Sequence, residues 1–474
     1  MLHRRNFLTL GVCGLIGLPG YYPISWSERG NAKDKTDLSP TKGKSSKSAK
    51  AKSVLVIFEQ GGLSQMDTWD PKPDAIVEHR SPFRPIQTRV PGMNFTELLK
   101  ETGSRVANHL TVIRCMTQKV GVGDSHPKGS QYIFSGEVPG GPEVMPDISS
   151  VVSYRLGTVA KNLPSNIMVP GTSEQHYNTK IGFLPSQHQV FKTGGQPHLP
   201  NWTVPNLNLN GIDPGRFHDR ADLLSQLDVQ LPGGDHCKES SMVLSLRQQA
   251  EEMLTSPATR KAFDLASEPL KIREKYGLGH RGQCYLLGRK LIESGVRFVT
   301  LDVREPPSSQ YPKGGNMNWD HHDFIYSKNS TEIKGGGPGA GRWGIGTEPM
   351  MGSTDRALAT LIEDMNDRGL LQDTLICFVT EFGRTPKMNE RLGRDHWVHA
   401  FSFAFAGAGV PGGQVVGSTD SSGGYITSSK AYTIEDYAAT IYEKLGIDRT
   451  KPLVTPSGRP IYLSKDGNPI PELA

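Results

Sequence analysis

Short apolar runs and helical periodicities alternate along the chain from residue 53 onward. Residues 54–58 (VLVIF) are continuously apolar and mostly β-branched, and they stop at Glu-Gln-Gly-Gly, which is typical of a buried parallel strand that ends at a loop. Similar runs predict further strands at 110–113, 297–303, 375–380 and 401–406. Apolar residues spaced as on a helix predict helical segments at 242–275, 283–294, 355–368 and 434–445. This alternation predicts an α/β fold, a three-layer α/β/α sandwich with a mostly parallel central sheet.

Residues 137–235 break this pattern, because they are rich in Gly, Pro, Asn and His and show little periodicity. We interpret them as a loop-rich insertion over the sheet. The chain shows no internal repeat, so residues 53–474 are predicted to form a single domain.

The N-terminus has the features of an export signal. Arg4 and Arg5 are followed by Phe7-Leu8 and a short Gly-diluted apolar run, which is typical of a twin-arginine leader over residues 1–26. The apolar run is too short to span a bilayer as a helix, so no transmembrane span is expected in the mature protein. Residues 27–52 are Lys/Ser-rich and predict a disordered tether. We expect a periplasmic or secreted protein, or one tethered to the membrane by an uncleaved leader.

The charge distribution gives no support for a nucleic-acid partner. The net charge is +5, but residues 1–52 hold ten Lys/Arg against three Asp/Glu, and the remainder holds 43 basic and 45 acidic residues. Five scattered cysteines are too few for a disulfide framework or a CxxC zinc knuckle. The sequence does not fix the oligomeric state.

Acidic and imidazole side chains follow several of the predicted strands. Ligands of open α/β sheets bind beyond the carboxyl ends of the strands. The residues at such places are Glu59, His126, Asp320, His322, Glu381, Asp395 and His396.

Each of these residues also has an ordinary explanation. Asp320 can cap a helix, Glu381 and Arg384 can form an i,i+3 ion pair, and Asp395 can lie in a solvated loop. Together, however, they predict a divalent metal site, and mixed carboxylate and imidazole ligands favour zinc, manganese or iron over calcium, whose sites are built from oxygen. Arg384 is also a candidate partner for an anionic ester.

Several motifs occur in an order that resembles one bacterial family. They are GGLSQMDTWDPKPDA, SHPKGSQYIFSG, NWDHHDF, TEFGRTPKMN, GRDHW and GAGVPGGQVVGSTD. Over residues 53–465 the chain resembles the domain-of-unknown-function 1501 family, an exported group placed in the alkaline phosphatase and sulfatase superfamily. This resemblance implies an alkaline phosphatase/sulfatase-like sandwich with metals at the strand ends.

The resemblance also implies roles for individual residues. His126 stands at the place of the sulfatase nucleophile, with Ser125 beside it as the alternative. Glu59, Asp320, His322, Glu381 and His396 stand at or near the places of metal ligands, and Asp395 is a further ligand or orients one. Gln60 and Phe382 stand where the superfamily has further ligands, and there is no cysteine for conversion to formylglycine.

Two hypotheses of function follow. The first is an exported, metal-dependent hydrolase of a phosphate or sulfate ester, with a small molecule or a glycan as substrate. In it a divalent metal, zinc first with manganese, iron and calcium as alternatives, works with His126 or Ser125 and with Arg384. The second is a non-catalytic binding or assembly module of the cell envelope that retains the fold.

Overall fold

A computed structural model describes residues 51–474 except 120, 123–124, 172–178, 206, 208–211, 231–237, 305, 307–317 and 329–342. The predicted leader and all of the predicted tether except Ala51 and Lys52 lie outside the described residues. Ala51 is buried, and its N–H donates to the Lys444 carbonyl at 2.9 Å. Within the described part of the chain, every helix is too short or too polar to cross a membrane.

The described residues form fourteen strands and ten α-helices. The strands are β1 (Ser53–Phe58), β2 (Pro85–Gln87), β3 (Asn94–Thr96), β4 (Thr111–Met116), β5 (Asn166–Pro170), β6 (Phe191–Lys192), β7 (Phe298–Asp302), β8 (Thr374–Val379), β9 (Gly383–Arg384), β10 (His396–Trp397), β11 (Phe401–Ala406), β12 (Gln414–Val416), β13 (Leu453–Val454) and β14 (Pro460–Ile461). The helices are α1 (Lys100–Arg105), α2 (His126–Ser135), α3 (Ile148–Leu156), α4 (Pro214–Gln230), α5 (Lys238–Thr255), α6 (Pro257–Phe263), α7 (Leu270–Tyr276), α8 (His280–Glu293), α9 (Ser353–Asp367) and α10 (Ile434–Lys444).

Eight strands form one mixed sheet in the order β12-β4-β11-β8-β1-β7-β5-β6. Strand β1 lies inside the sheet and pairs in parallel with β7 and β8. Strand β11 is antiparallel to both of its neighbours, β4 and β8, whereas the other pairs are parallel. The predicted mostly parallel sheet is confirmed, and the carboxyl ends of β1, β7 and β8 meet at one edge.

Helices cover both faces of this sheet. Leu55 and Ile57 of β1 belong to the hydrophobic cluster that includes residues of α8 and α9. Val56 and Phe58 of the same strand belong to a second cluster with residues of α2, α3 and α10. Alternate side chains of β1 therefore pack into two separate hydrophobic cores, one on each face of the sheet, which confirms the three-layer α/β/α sandwich.

Two segments differ in detail from the sequence prediction. The helical stretch predicted at 242–275 is covered by α5, α6 and α7, because Pro257 lacks the N–H that would continue α5 and instead begins α6 behind the N-cap Ser256. The segment 137–235, predicted as a loop-rich insertion, also supplies α3, α4, the strand β5 and the edge strand β6. Its irregular composition hid those strands.

Candidate metal centre

The candidate site lies where five parts of the chain meet at the carboxyl edge of the sheet. Strand β1 runs into Glu59-Gln60-Gly61, and β8 runs into Thr380-Glu381. His126 begins α2, and His396 lies in β10, which pairs with β9. Asp320 and His322 lie in the described segment 318–328.

Two glycines allow these loops to approach one another. Gly61 has φ +114°, and a Cβ placed there would come within 2.5 Å of the backbone nitrogens of Trp319 and Asp320. A Cβ on Gly393 would come within 2.1 Å of the His322 carbonyl group. Side chains at these positions would push the segment that carries Asp320 and His322 away from its neighbours.

Four side chains from three regions of the sequence converge on one point. They are His126, Asp320, His322 and His396, and one potential ligand atom from each lies within 4.8 Å of the others. The Nε2 atoms of His126, His322 and His396 lie 3.0, 3.0 and 3.2 Å from Asp320 Oδ1. We call these four residues the His3-Asp cluster. It is partly open, because the side chains of His322 and His396 are 18% and 15% exposed whereas that of Asp320 is 4% exposed.

Carboxylates orient two of the three imidazoles from behind. Glu381 Oε1 lies 2.7 Å from His126 Nδ1, and Asp395 Oδ1 lies 2.8 Å from His322 Nδ1. An ionised carboxylate only accepts hydrogen bonds, so both Nδ1 atoms act as donors. The Nε2 atoms of these two rings then face the centre of the cluster, as in carboxylate–histidine–metal arrangements.

Charge balance shows why a cation fits this cluster. Burial opposes ionisation of Asp320, but hydrogen bonds from His126, His322 and His396 and the charge of Arg384 hold its pKa well below the ordinary value. Burial also opposes the His126 cation, but its hydrogen bonds to Asp320 and Glu381 outweigh burial and raise its pKa. The Nε2 atoms of His322 and His396, however, lie 3.0 Å apart. At this distance at most one of the two nitrogens can carry a proton, and when neither does, both can bind one cation.

The donor set fits a transition-metal ion such as zinc. Three imidazole nitrogens and one carboxylate oxygen are the ligand types and number of a four-coordinate zinc site. Manganese and iron accept the same atoms, whereas calcium prefers sites made of oxygen alone.

Arg384 lies beside the cluster, but its guanidinium is not available to bind a substrate. It is fully buried and donates from Nε to the Gly62 carbonyl at 2.9 Å, from Nη1 to the Arg394 carbonyl at 2.8 Å and from Nη2 to Asp320 Oδ1 at 2.8 Å. Nη2 also contacts the Gly61 carbonyl. The expectation that Arg384 holds ester oxygens therefore does not agree with its contacts, which instead anchor Asp320.

Glu59, predicted as a ligand, lies outside the His3-Asp cluster. Its carboxylate accepts hydrogen bonds from Tyr285 Oη at 2.7 Å and Arg281 Nη1 at 3.1 Å, and also from Trp319 Nε1. Glu59 follows Ile57 by two positions, so its side chain points to the sheet face that α8 covers. This contact set is a correction to the predicted ligand role.

The remaining predicted residues surround the cluster. Glu381 and Asp395 contact the imidazoles rather than joining the four converging atoms. Ser125 is half-buried at the N-cap of α2, directly before His126, and belongs to neither set of contacts. His126, expected as nucleophile, is itself a member of the cluster.

The ring of Phe382 packs against two imidazoles of the cluster. Its ring is fully buried, with its centroid 4.3 Å from that of His396 and 5.1 Å from that of His126. An apolar ring supplies no ligand at the place where the resemblance has one. The geometry among the described residues therefore supports a single ion.

An open cleft of about 770 Å³ adjoins the cluster. Asp395, which contacts His322, is part of its wall. Most of this wall was not predicted from the sequence, because its residues come from loops without periodicity. They are His79, Thr385, Pro386, Lys387, Met388, Asn389, Glu390, Arg391, Asp395, Trp397, Ser422 and Tyr425.

Asn389 is a site residue that the sequence did not single out. Its Nδ2 donates to the His322 carbonyl at 2.9 Å and to Asp395 Oδ1 at 3.1 Å, so it ties the two loops together. The only available signal was its place at the end of the TEFGRTPKMN motif.

Comparison with protein families gives one match that spans the domain. A family described as "Protein of unknown function (DUF1501)" matches residues 51–474. A search of curated proteins finds no match.

Solved structures with distant similarity include three proteins of known name. A sulfatase from Pseudoalteromonas sp. is 12% identical with a TM-score of 0.35, and the match covers 90% of this chain and 72% of that one. The lipoteichoic acid synthase LtaP from Listeria monocytogenes is 10% identical with a TM-score of 0.33, covering 88% and 76%. A phosphonate monoester hydrolase of Agrobacterium radiobacter is 12% identical with a TM-score of 0.33, covering 89% and 77%. Similarities at this level do not assign an activity.

Proposed function

The chain belongs to the DUF1501 family, and we propose that it is a metal-dependent hydrolase of a phosphate or sulfate ester. The observation that carries this proposal is the convergence of three imidazoles and one carboxylate in the His3-Asp cluster beside an open cleft. A divalent cation, with zinc as first choice, supplies Lewis-acid activation of the ester in such a site.

The protein's own residues would hold and orient the reacting parts. His126, Asp320, His322 and His396 provide the ligand atoms, while Glu381 and Asp395 fix the imidazole rings from behind. Since Arg384 already anchors Asp320, we assign it to the support of the ligands rather than to the substrate. Ser125, half-buried next to His126, remains the candidate nucleophile of the chain itself.

The cleft is the proposed substrate site. Exposed Lys387 and Arg391 lie in its wall, and cationic side chains attract an anionic ester. Trp397 and Tyr425 stand in the same wall with ring centroids 5.4 Å apart, and Tyr425 is 53% exposed. Such a mixed wall suits a small-molecule or glycan ester, with the anionic group toward the cluster and the remainder on the aromatic rings.

Metal content and activity together test this proposal. The purified full chain should carry close to one equivalent of metal and should hydrolyse an aryl phosphate or an aryl sulfate. His322→Ala should lose both the metal and the turnover, because it removes one of four ligands. The matched control is His218→Ala, which removes an imidazole that is 64% exposed on α4 and outside the cluster. A metal-free wild type that cleaves neither ester would contradict the proposal.

A non-catalytic cell-envelope module is the second candidate function. The buried ring of Phe382 and the occupied donors of Arg384 favour it, because both leave fewer groups to act on a substrate. Bound metal without cleavage of either ester would support this alternative.

We also propose export through the twin-arginine signal at Arg4-Arg5, with a soluble or a leader-tethered form as the outcome. Replacing both arginines with lysine should retain the protein in the cytoplasmic fraction, and unchanged export would contradict the proposal.

A further inference from the structure

Glu59 contacts the segment that carries two members of the His3-Asp cluster, although its own carboxylate lies outside the cluster. We propose that Glu59 is a positioning residue: it holds Trp319 and so keeps Asp320 and His322 in place for the metal. This inference rests on the metal site of the proposed function and deepens it.

The Glu59 carboxylate is buried and receives three donors. Glu59 is 2% exposed, and its Oε1 accepts from Tyr285 Oη at 2.7 Å. Its Oε2 accepts from Arg281 Nη1 at 3.1 Å and from Trp319 Nε1. Two of these donors lie on α8, a rigid helix of the core, so Glu59 links the indole of Trp319 to a fixed point of the fold.

Trp319 is fixed by contacts on several sides, so its position determines the position of the residues next to it in the chain. Its side chain is 1% exposed, and the Arg281 guanidinium carbon lies 5.6 Å from the ring centroid. The backbone N–H of Trp319 donates to the Gln60 carbonyl at 3.0 Å, and the Trp319 carbonyl accepts from the backbone N–H of His321 at 2.9 Å. Because Asp320 follows directly in the chain, a shift of Trp319 displaces a ligand of the cluster.

Only an ionised carboxylate satisfies all three donors at once. A glutamine at position 59 has one acceptor oxygen and an amide group that donates, so either Trp319 or the α8 pair faces another donor. Glu59→Gln preserves the size of the side chain and removes its charge. Loss of a group that is hydrogen-bonded directly to a metal ligand usually lowers metal affinity by 10- to 100-fold, and Glu59 acts one residue further out, through Trp319.

The experiment measures zinc affinity of the full chain by competition with a chromophoric chelator. Glu59→Gln is expected to weaken zinc binding by about tenfold, the lower end of that range. Trp319→Phe, which removes the indole donor and keeps an aromatic ring, is expected to do the same. The double variant should be no weaker than the worse single variant, because both changes break the same hydrogen bond.

Glu268→Gln is the matched control. Glu268 pairs with Arg289 at 2.8 Å. Arg289 is fully buried on α8 like Arg281, but its contacts lie away from Trp319 and the cluster. This change should lower the denaturation midpoint without weakening zinc binding. If Glu59 only stabilised the fold, Glu59→Gln would behave like Glu268→Gln: the denaturation midpoint would fall and zinc binding would stay unchanged.

A second readout does not depend on metal. Hydrogen exchange of the amides of 319–322 in chelator-treated protein should accelerate in Glu59→Gln and stay unchanged in Glu268→Gln. Zinc affinity of Glu59→Gln equal to that of the wild type overturns the inference, and so does unchanged exchange in this segment. A wild type that binds no zinc overturns the proposed function instead, and the exchange comparison then decides alone whether Glu59 holds the segment.

Discussion

At the scale of single residues, the His3-Asp cluster shows how hydrogen-bond partners fix the function of an imidazole. His126 and His322 each have a carboxylate at Nδ1, which sets the tautomer and leaves Nε2 directed at the centre. Glu381 can play this part because burial opposes its charge but the hydrogen bonds from His126 and Gly61 N–H, together with the nearby His126 charge, lower its pKa. A carboxylate kept ionised in a buried place is therefore a component of the site.

Glu137 is a half-buried acid whose pKa is shifted in the opposite direction, which gives a prediction about pH. Burial raises its pKa to about 7, although the Ser464 N–H donates to it at 2.7 Å. A folded-state pKa above the ordinary value means that folding favours the protonated form. The resulting stability is complete below about pH 4.5 and is lost as the pH rises through 7.

Glu137→Gln should remove this pH dependence and keep the hydrogen bond from Ser464. At pH 8 the variant should exceed the wild type in free energy of unfolding by about 1 to 3 kcal/mol, and at pH 4.5 the difference should vanish. Denaturant titrations at a series of pH values measure it. The control is Glu274→Gln on the exposed surface of α7, which should show no such trend. A constant difference between Glu137→Gln and wild type across this range would contradict the prediction.

At the scale of elements, the sequence predicted the strands well and the direction of their terminal side chains poorly. The apolar runs at 54–58, 297–303 and 375–380 became β1, β7 and β8, because a strand buried on both faces needs continuous apolar residues. Glu59 and Glu381 both follow such strands, yet they serve opposite faces. Glu59 continues the face of Ile57 toward α8, and Glu381 continues the face of Val379 toward α2. Which helices cover which face depends on tertiary packing, so periodicity alone could not assign the ligands.

The turn after β1 gives a prediction at this scale. Gly61→Ala should destabilise the protein strongly, since φ +114° disfavours a side chain and the new Cβ would meet the backbone of Trp319 and Asp320 at 2.5 Å. Gly92→Ala is the matched control, with φ +81° but no atom within 4 Å of the added Cβ. It should cost about 1 to 2 kcal/mol of unfolding free energy for backbone conformation alone.

The difference between the two glycine variants isolates the close approach of the loops. Gly61→Ala should lose more stability than Gly92→Ala and should also bind zinc more weakly, because the clash lies next to a cluster residue. Denaturation curves and chelator competition measure both effects. Equal stability and equal zinc affinity of the two variants would show that the loops do not meet at Gly61.

At the scale of the whole molecule, the cluster joins parts of the chain that are far apart in sequence. His126 lies on α2, Asp320 and His322 lie on the segment after β7, and His396 lies on β10. The fold brings these four residues together. The order of motifs indicated their convergence through family resemblance, and the DUF1501 match over residues 51–474 confirms that resemblance. The loop-rich cleft wall was not predictable, because its residues follow from loop packing rather than from any period.

Convergence of this kind couples metal binding to global stability, because a cation that binds the folded chain and not the unfolded one shifts the equilibrium toward folding. Free zinc at 100 times its dissociation constant should raise the free energy of unfolding by about 2.7 kcal/mol. Chelator treatment should therefore lower the melting temperature of the purified wild type, and zinc should restore it. His396→Ala should respond to neither treatment, whereas His218→Ala, altered outside the cluster, should respond like the wild type. If wild type and His396→Ala melted identically under chelator and zinc, the four side chains would hold their geometry without a cation, with Arg384 as the cation that pairs with Asp320.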